Sequence, residues 1–200
     1  VIYVREFFAQ RLILFLAAVA ISSGTVLLAT PGGPGTGPSV AAGIVTVILV
    51  EYATHRFLLH EFPHWAPAMY EGHQAHHRAP NDIRFLFGPV RYDFAGYVVL
   101  SAAAWAVTRS LHLAAGYVCG AVVYQLYYQW KHYVSHRPIR PVTPWGKWMK
   151  KKHLLHHHLD DKAWYGVSNP VCDVLLGTDK PAAKPIRKTP PADRTIGRRT

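Results

Sequence analysis

Eleven of the thirteen histidines fall in four short clusters: HRFLLH (His55, His60), HQAHH (His73, His76, His77), HYVSH (His132, His136) and HLLHHH (His153, His156, His157, His158). Imidazole nitrogen is the commonest metal ligand among side chains. On a helix turning ~100° per residue, positions i, i+3 and i+4 share one face. Each HxxHH therefore presents three rings to one side, and HxxxH presents two. His55 and His60, five apart, diverge by ~140° on a regular helix, too far for one ion. That pair either serves two different ions or lies where the helix distorts. With one ring to spare in HLLHHH, the clusters offer ten nitrogen ligands, suited to two metal ions of about five ligands each. His158 is the spare, either supporting its neighbours or competing with His157. His64 and His112 stand alone and read as interfacial or core residues.

The other residue types narrow the chemistry. Cys119 and Cys172 form neither a disulfide framework nor a CxxC pair, so a thiolate zinc site is excluded. Imidazole suits Zn, Cu, Fe and Ni alike, and affinity alone does not choose among them. Two cations held by neutral rings need nearby anions and acceptors to orient those rings. Glu51, one turn before His55, is the first candidate for that supporting role. Asp160, Asp161, His158 and Asp173 are the others close to the clusters. Glu71 and Asp82 flank the second cluster. No separate side-chain base stands out, so the reactive element is the metal pair itself.

The elements that must hold these rings are membrane helices. Half of the 200 residues are hydrophobic and only 16% are charged, with the apolar residues gathered in long runs. A span needs ~20 mostly apolar residues. The runs predict four spans, at about 12–30, 40–60, 92–108 and 111–131. An uncharged Gly/Pro turn, TPGGPGTGPS, separates the first two, and Arg109 marks a tight turn between the last two. The expected fold is therefore all-α, with about four transmembrane helices and a helical cap carrying the histidines. The net charge of +11 sits beside membrane-length runs, which argues against nucleic acid as a partner. Arg5 and Arg11, then Arg78, Arg84 and Arg91, then fifteen Lys/Arg from Lys131 to Arg199 lie on the side of both termini and the long middle loop. The positive-inside rule places that side, and the histidines, in the cytosol. Residues 180–200 are basic and Pro-rich and read as a flexible tail.

EYATHRFLLH, HQAHHRAPND, YYQWKHYVSH, KKHLLHHH and YGVSNPVCDVLLGT, in that order, closely resemble the fatty acid hydroxylase/sterol desaturase superfamily. Within it the likeness is nearest to fatty acid 2-hydroxylases, which share the EYxxHRFLxH opening and the HHxAPxD run. It covers about Glu51 to Thr178. The resemblance implies a membrane-embedded hydroxylase domain over residues 1–179, with a dimetal centre that uses dioxygen and two electrons. It implies His55, His60, His73, His76, His77, His132, His136, His153, His156 and His157 as ligands, and iron as the working metal, with zinc able to occupy such sites in purified samples. Nothing in the chain resembles a cytochrome b5 domain, so electrons come from a separate donor: a cytochrome b5-like protein, a ferredoxin or a reductase. The substrate implied is a lipid acyl chain from the bilayer. The setting is the inner membrane of a bacterium or the endoplasmic reticulum of a eukaryote. Sterol or carotenoid hydroxylases and desaturases of the same superfamily are the alternative.

Two other classes fit the composition. A metal transporter would also be basic, helical and rich in histidine, but should carry ligands along a path through the bilayer. A metal-stapled scaffold would hold the ions without consuming dioxygen. Many aromatic residues near the histidine face, Tyr128 and Trp145 among them, suit a lipid pocket or an interfacial belt. Lys150, Lys151 and Lys152 suit phosphate headgroups or a solvated face.

Overall fold

Leu12 opens an uninterrupted apolar run that folds as helix α2 (Arg11–Ala29), preceded by the short α1 (Ile2–Phe8). Pro31 and Pro34 end α2 and turn the chain back into α3 (Thr36–Ala53). α3 starts inside the expected Gly/Pro turn because Pro38 sits in its first turn, where proline lacks no needed donor. His112, one of the two isolated histidines, pins this reversal. Its ring nitrogens stand 2.9 Å from Thr30 Oγ1 and 2.7 Å from Thr36 Oγ1. His64 is exposed.

The computed structural model describes residues 2–181, and helices are its only regular elements among the described residues. Of the expected 180–200 tail, residues 182–200 lie outside them. α3 continues without a break as a π-helix, Thr54–Glu61. Then come α4 (Pro67–Arg78), α5 (Ile83–Leu86) and α6 (Val90–Thr108). Arg109, at φ 50°, reverses the chain in the left-handed region, and Ser110 caps α7 (Leu111–Ser135) through Leu113 N–H. α8 (Pro144–His158) and the short α9 (Val171–Leu175) are the last elements among the described residues.

α7 is the axis against which α2, α3 and α6 pack. Its contact with α3 brings backbone to backbone. A Cβ on Gly120 would lie 2.1 Å from Val40 O, and one on Gly43 would lie 2.0 Å from Tyr117 O. Small residues let membrane helices approach this closely. Gly120→Ala is therefore expected to force the two helices apart at a cost of about 1–3 kcal/mol. Thermal unfolding in detergent reads this as a lower Tm. Gly24→Ala, where the added carbon meets nothing within 4 Å, should leave Tm unchanged, and equal effects would show that the close approach is absent.

Arg11–Ala29 and Thr36–Glu61 are long and apolar enough to cross a membrane, and only 22% of each apolar window is buried inside the protein. The core helix of a water-soluble domain would be mostly covered. Large side chains such as Leu28, Ile21, Leu49 and Val50 face outward instead, as a membrane protein requires. α6 and α7, at 19 and 25 residues, occupy the positions of the other two expected spans, but among the described residues only Arg11–Ala29 and Thr36–Glu61 are apolar enough to cross.

Candidate metal centre

The π-helix resolves the odd spacing of the first cluster. Its bonding runs from residue i to i+5, as in Phe62 N–H to Phe57 O at 2.8 Å. Positions five apart therefore come onto one face, and the rings of His55 and His60 lie 5.1 Å apart. Division of this pair between two ions, one of the alternatives left by the spacing, is corrected: the helix distorts and both rings join one group. π-turns of this kind recur at functional sites.

The ten histidines expected as ligands stand in two groups of five. His55, His60, His73, His77 and His156 form the first; His76, His132, His136, His153 and His157 form the second. In each group one nitrogen per ring lies within 4.8 Å of all the others. The π-helix supplies two rings, α4 three, α7 with its C-cap two and α8 three. The groups abut, with His77 and His157 stacked at 4.1 Å between centroids. His158 is exposed and belongs to neither group.

These residues fit metal ions. The Nε2 atoms of His73 and His60 are 3.0 Å apart, of His77 and His73 3.1 Å, of His132 and His76 3.1 Å, and of His136 and His153 2.8 Å. Adjacent ligands on an ion with bonds of ~2.1 Å stand about 3 Å apart. Further nitrogens are buried without a partner: Nε2 of His55 and His156, Nδ1 of His76 and His153, and both ring nitrogens of His157. Leaving buried polar atoms unmet is costly, and metal coordination would satisfy one nitrogen of each ring, including Nε2 of His55 and His156 and one nitrogen of His157. Burial also keeps the rings neutral, as ligands must be. It pushes the His77 imidazole down to about 4 and the His136 imidazole down to about 3, and it lowers His73, His153 and His156 strongly.

Acid titration follows with a definite sign. Below a pH of about 6.5 the unfolded chain binds protons at these rings while the folded chain resists them. Metal-free protein should thus hold a constant Tm above neutral pH and lose stability as pH falls from 6.5 through 4 and toward 3. A Tm that stays level across this range, followed by scanning calorimetry of chelated protein, would contradict the buried neutral rings.

Two of the rings are oriented by backbone carbonyls rather than by carboxylates. His55 Nδ1 donates to Tyr165 O at 2.6 Å and His156 Nδ1 to Ala163 O at 2.8 Å, which turns both Nε2 lone pairs toward the first group. Both carbonyls belong to the segment 163–168, a strap folded over the centre. Glu51, expected to support a ligand ring, bonds the strap instead: Oε1 accepts from Val167 N–H (2.7 Å) and Ser168 N–H (2.8 Å), and Oε2 accepts from Ser168 Oγ. Asp173 likewise accepts from Tyr165 N–H, Gly166 N–H and the Thr178 hydroxyl. Glu51 is corrected from a ring partner to a clamp on the loop that carries the ring partners, and Asp173, which could have bonded a ligand ring or capped a helix, clamps the same loop. Asp160 accepts from Lys162 N–H at 3.0 Å. Asp161 is exposed, and its charge favours the protonated form of His77. Gly166 is required here, since a Cβ would strike Asn169 O at 2.1 Å. Trp164 holds a left-handed φ of 58°, secured by its backbone N–H to Thr178 O and its indole N–H to Asp179 O.

A cavity of about 450 Å³ opens beside the centre, within the range of small-molecule sites. His55 and His73 of the first group and His76 and His132 of the second line it, as do Val47, Val50, Leu59, Phe87 and Leu100. Part of the wall is a polar network: the Tyr97 hydroxyl donates to Gln125 Oε1 at 2.7 Å, and Gln125 Nε2 donates to Asp93 Oδ1. Neither this network nor the two strap carbonyls carries a motif.

Residues 40–178 match the family model described as fatty acid hydroxylase. The chain is 33% identical over 159 residues to a dihydroceramide fatty acyl 2-hydroxylase of Arabidopsis thaliana, covering 72% of this chain and 62% of that protein. It is 30% identical over 151 residues to a ceramide very long chain fatty acid hydroxylase of Schizosaccharomyces pombe, covering 70% of this chain and 41% of the relative. The chain thus spans between about two fifths and three fifths of these relatives' length. A solved structure described as full-length scs7p, with only the hydroxylase domain visible, superposes with a TM-score of 0.73 at 24% identity, over 86% of this chain and 67% of that one. That likeness supports the all-helical architecture.

Proposed function

Since the chain belongs to the fatty acid hydroxylase family, we propose that it is a membrane-bound monooxygenase that hydroxylates a lipid acyl chain at carbon 2. The observation that carries this reading is the cavity walled both by imidazoles of the two five-histidine groups and by aliphatic side chains of the long helices. The relatives' names, a dihydroceramide fatty acyl 2-hydroxylase and a ceramide very long chain fatty acid hydroxylase, point to the same substrate class and position.

His55, His60, His73, His77 and His156 would hold one metal ion, and His76, His132, His136, His153 and His157 the other, with iron the metal assigned. When bound, the pair supplies dioxygen activation: with two electrons from a separate donor and two protons, one oxygen atom goes to the substrate and the other to water. The protein's own residues bind, orient and exclude water. Val47, Val50 and Leu100 receive the acyl chain. The strap fixes the His55 and His156 rings through Ala163 O and Tyr165 O, while Glu51 and Asp173 hold the strap still. No side-chain base is assigned.

In this reading four helices (α2, α3 with its π-turn, α6 and α7) cross the bilayer over a hydroxylase domain that ends near residue 179. Both termini and the metal centre face the cytosol, where a soluble or membrane-bound electron donor docks. A transporter reading is disfavoured because, among the described residues, the only histidine at the far turn is His112, and its two ring nitrogens are engaged by Thr30 and Thr36.

Mass spectrometry of lipids from cells expressing the chain tests the proposal. The expected result is a new acyl species one oxygen atom heavier, with fragmentation placing the hydroxyl on carbon 2. Metal flux into vesicles without any oxygenated lipid would overturn it in favour of transport. Modification only at a double bond or a ring would move the assignment to the sterol and carotenoid branch.

A further inference from the structure

Two lysines are drawn into the packing where α7 meets α8, and they differ in one respect. Lys150 Nζ donates to three carbonyls, Val134 O, Arg137 O and Ile139 O, at 2.8–2.9 Å, and so closes the carboxyl end of α7. Lys131 is only 9% exposed, yet no hydrogen bond or ion pair reaches its amine among the described residues. The amine points at the first turn of α8, 3.6 Å from where a Cβ on Gly146 would stand. That turn is the amino end of a 15-residue helix, which carries roughly half a positive charge. An ammonium packed against the positive end of a helix is repulsive unless an anion lies between them.

The surroundings indicate which anion. Trp145 and Trp148, both exposed, pair at 5.3 Å, and the Trp145 indole N–H donates to the Tyr127 hydroxyl at 3.0 Å. Val142 beside them is fully open. Tryptophan and tyrosine concentrate at the level of lipid headgroups. Lys147 and Lys151 add exposed positive charge along α8. Lys152 lies over the Trp148 ring at 4.6 Å, leaving Lys131 as the cation whose stem is buried and whose amine, at the mouth of the crevice, has no protein partner among the described residues. Phosphate groups are bound at helix amino ends for the same electrostatic reason.

We propose that the crevice between Lys131 and the first turn of α8 binds a phosphate group, supplied by the headgroup of an anionic glycerophospholipid. It is separate from the metal centre and rests on the membrane setting, not on the reaction catalysed.

Thermal unfolding of the metal-loaded full chain in maltoside micelles tests it, with phosphatidylglycerol, diacylglycerol, oleate or inorganic phosphate added. Phosphatidylglycerol should raise Tm by about 5 °C, as expected for a ligand well above its Kd, while diacylglycerol, which lacks the phosphate, should do nothing. Lys131→Met keeps the packed stem and should lose the shift. Lys131→Arg and the surface control Lys151→Gln should keep it. Phosphorus retained by delipidated protein offers a second reading should Lys131→Met fold poorly: it should be present in wild type and absent from Lys131→Gln. Metal content measured in parallel separates loss of this crevice from damage to neighbouring His132. An equal shift with inorganic phosphate would support the phosphate site but name a free ion as its occupant. An equal shift with oleate, or a phosphatidylglycerol shift that survives Lys131→Met, would overturn the proposal.

Discussion

His76→Ala is expected to abolish the hydroxylated lipid of the proposed reaction and to remove metal from the purified protein. His76 is fully buried in the second group, its Nε2 3.1 Å from that of His132 and its ring 4.6 Å from His136. No neighbouring side chain can take its place, since every histidine within reach already belongs to one of the groups. Loss of a supporting residue around a metal costs 10–100-fold in affinity or activity, so loss of a ligand should lower product by at least about 100-fold. Metal analysis should fall from about two ions per chain toward one. His112→Ala is the control: it loosens the Thr30–Thr36 turn at a cost of about 1 kcal/mol and leaves metal and product in place. Equal metal loss from both substitutions would refute the ligand assignment.

Glu51→Ala should produce the second-largest effect, and a selective one. The carboxylate accepts from two backbone N–H groups and the Ser168 hydroxyl inside the protein. A buried donor left without its acceptor costs about 1–3 kcal/mol, so with three donors orphaned the expected destabilisation is on the order of 3–9 kcal/mol. The strap then no longer presents Tyr165 O to His55 and Ala163 O to His156, both in the first group. The first ion should weaken by about 10–100-fold while the second is retained. Glu51→Gln, which keeps an acceptor oxygen, should fall between. Metal titration of the three proteins resolves the two sites, and simultaneous loss of both ions would contradict the assignment of the strap to one group.

How far the sequence was readable follows from the physics of each feature. HxxHH and HxxxH are local patterns, and a regular helix converts them directly into a shared face; hence the ten rings sit together. His55 and His60 required a helix of a different pitch, which no residue in HRFLLH announces. The resemblance of EYATHRFLLH, HQAHHRAPND and the later motifs to fatty acid hydroxylases is borne out by the family match over residues 40–178. The role of Glu51 was legible only in part. A carboxylate near the end of an apolar run had to be partnered, but the partner is backbone more than a hundred residues away, and backbone carries no sequence signature. The Asp93–Gln125–Tyr97 network was hidden similarly, since its members sit on two helices whose mutual rotation is a tertiary property.

The order of the chain bears on how the centre is built. The π-turn and α4 supply five rings before residue 78, α7 with its C-cap supplies His132 and His136, and α8 supplies the last three, while the strap at 163–168 holds two of the ten in place. Chains fold from the amino end as they are synthesised. Both strongly apolar helices are therefore made, and free to enter the bilayer, while each five-nitrogen group still lacks members. Neither five-ring group is complete until α8 has been made, since His156 belongs to the first and His153 and His157 to the second, so any ions the centre holds would be enclosed only at a late stage of biogenesis.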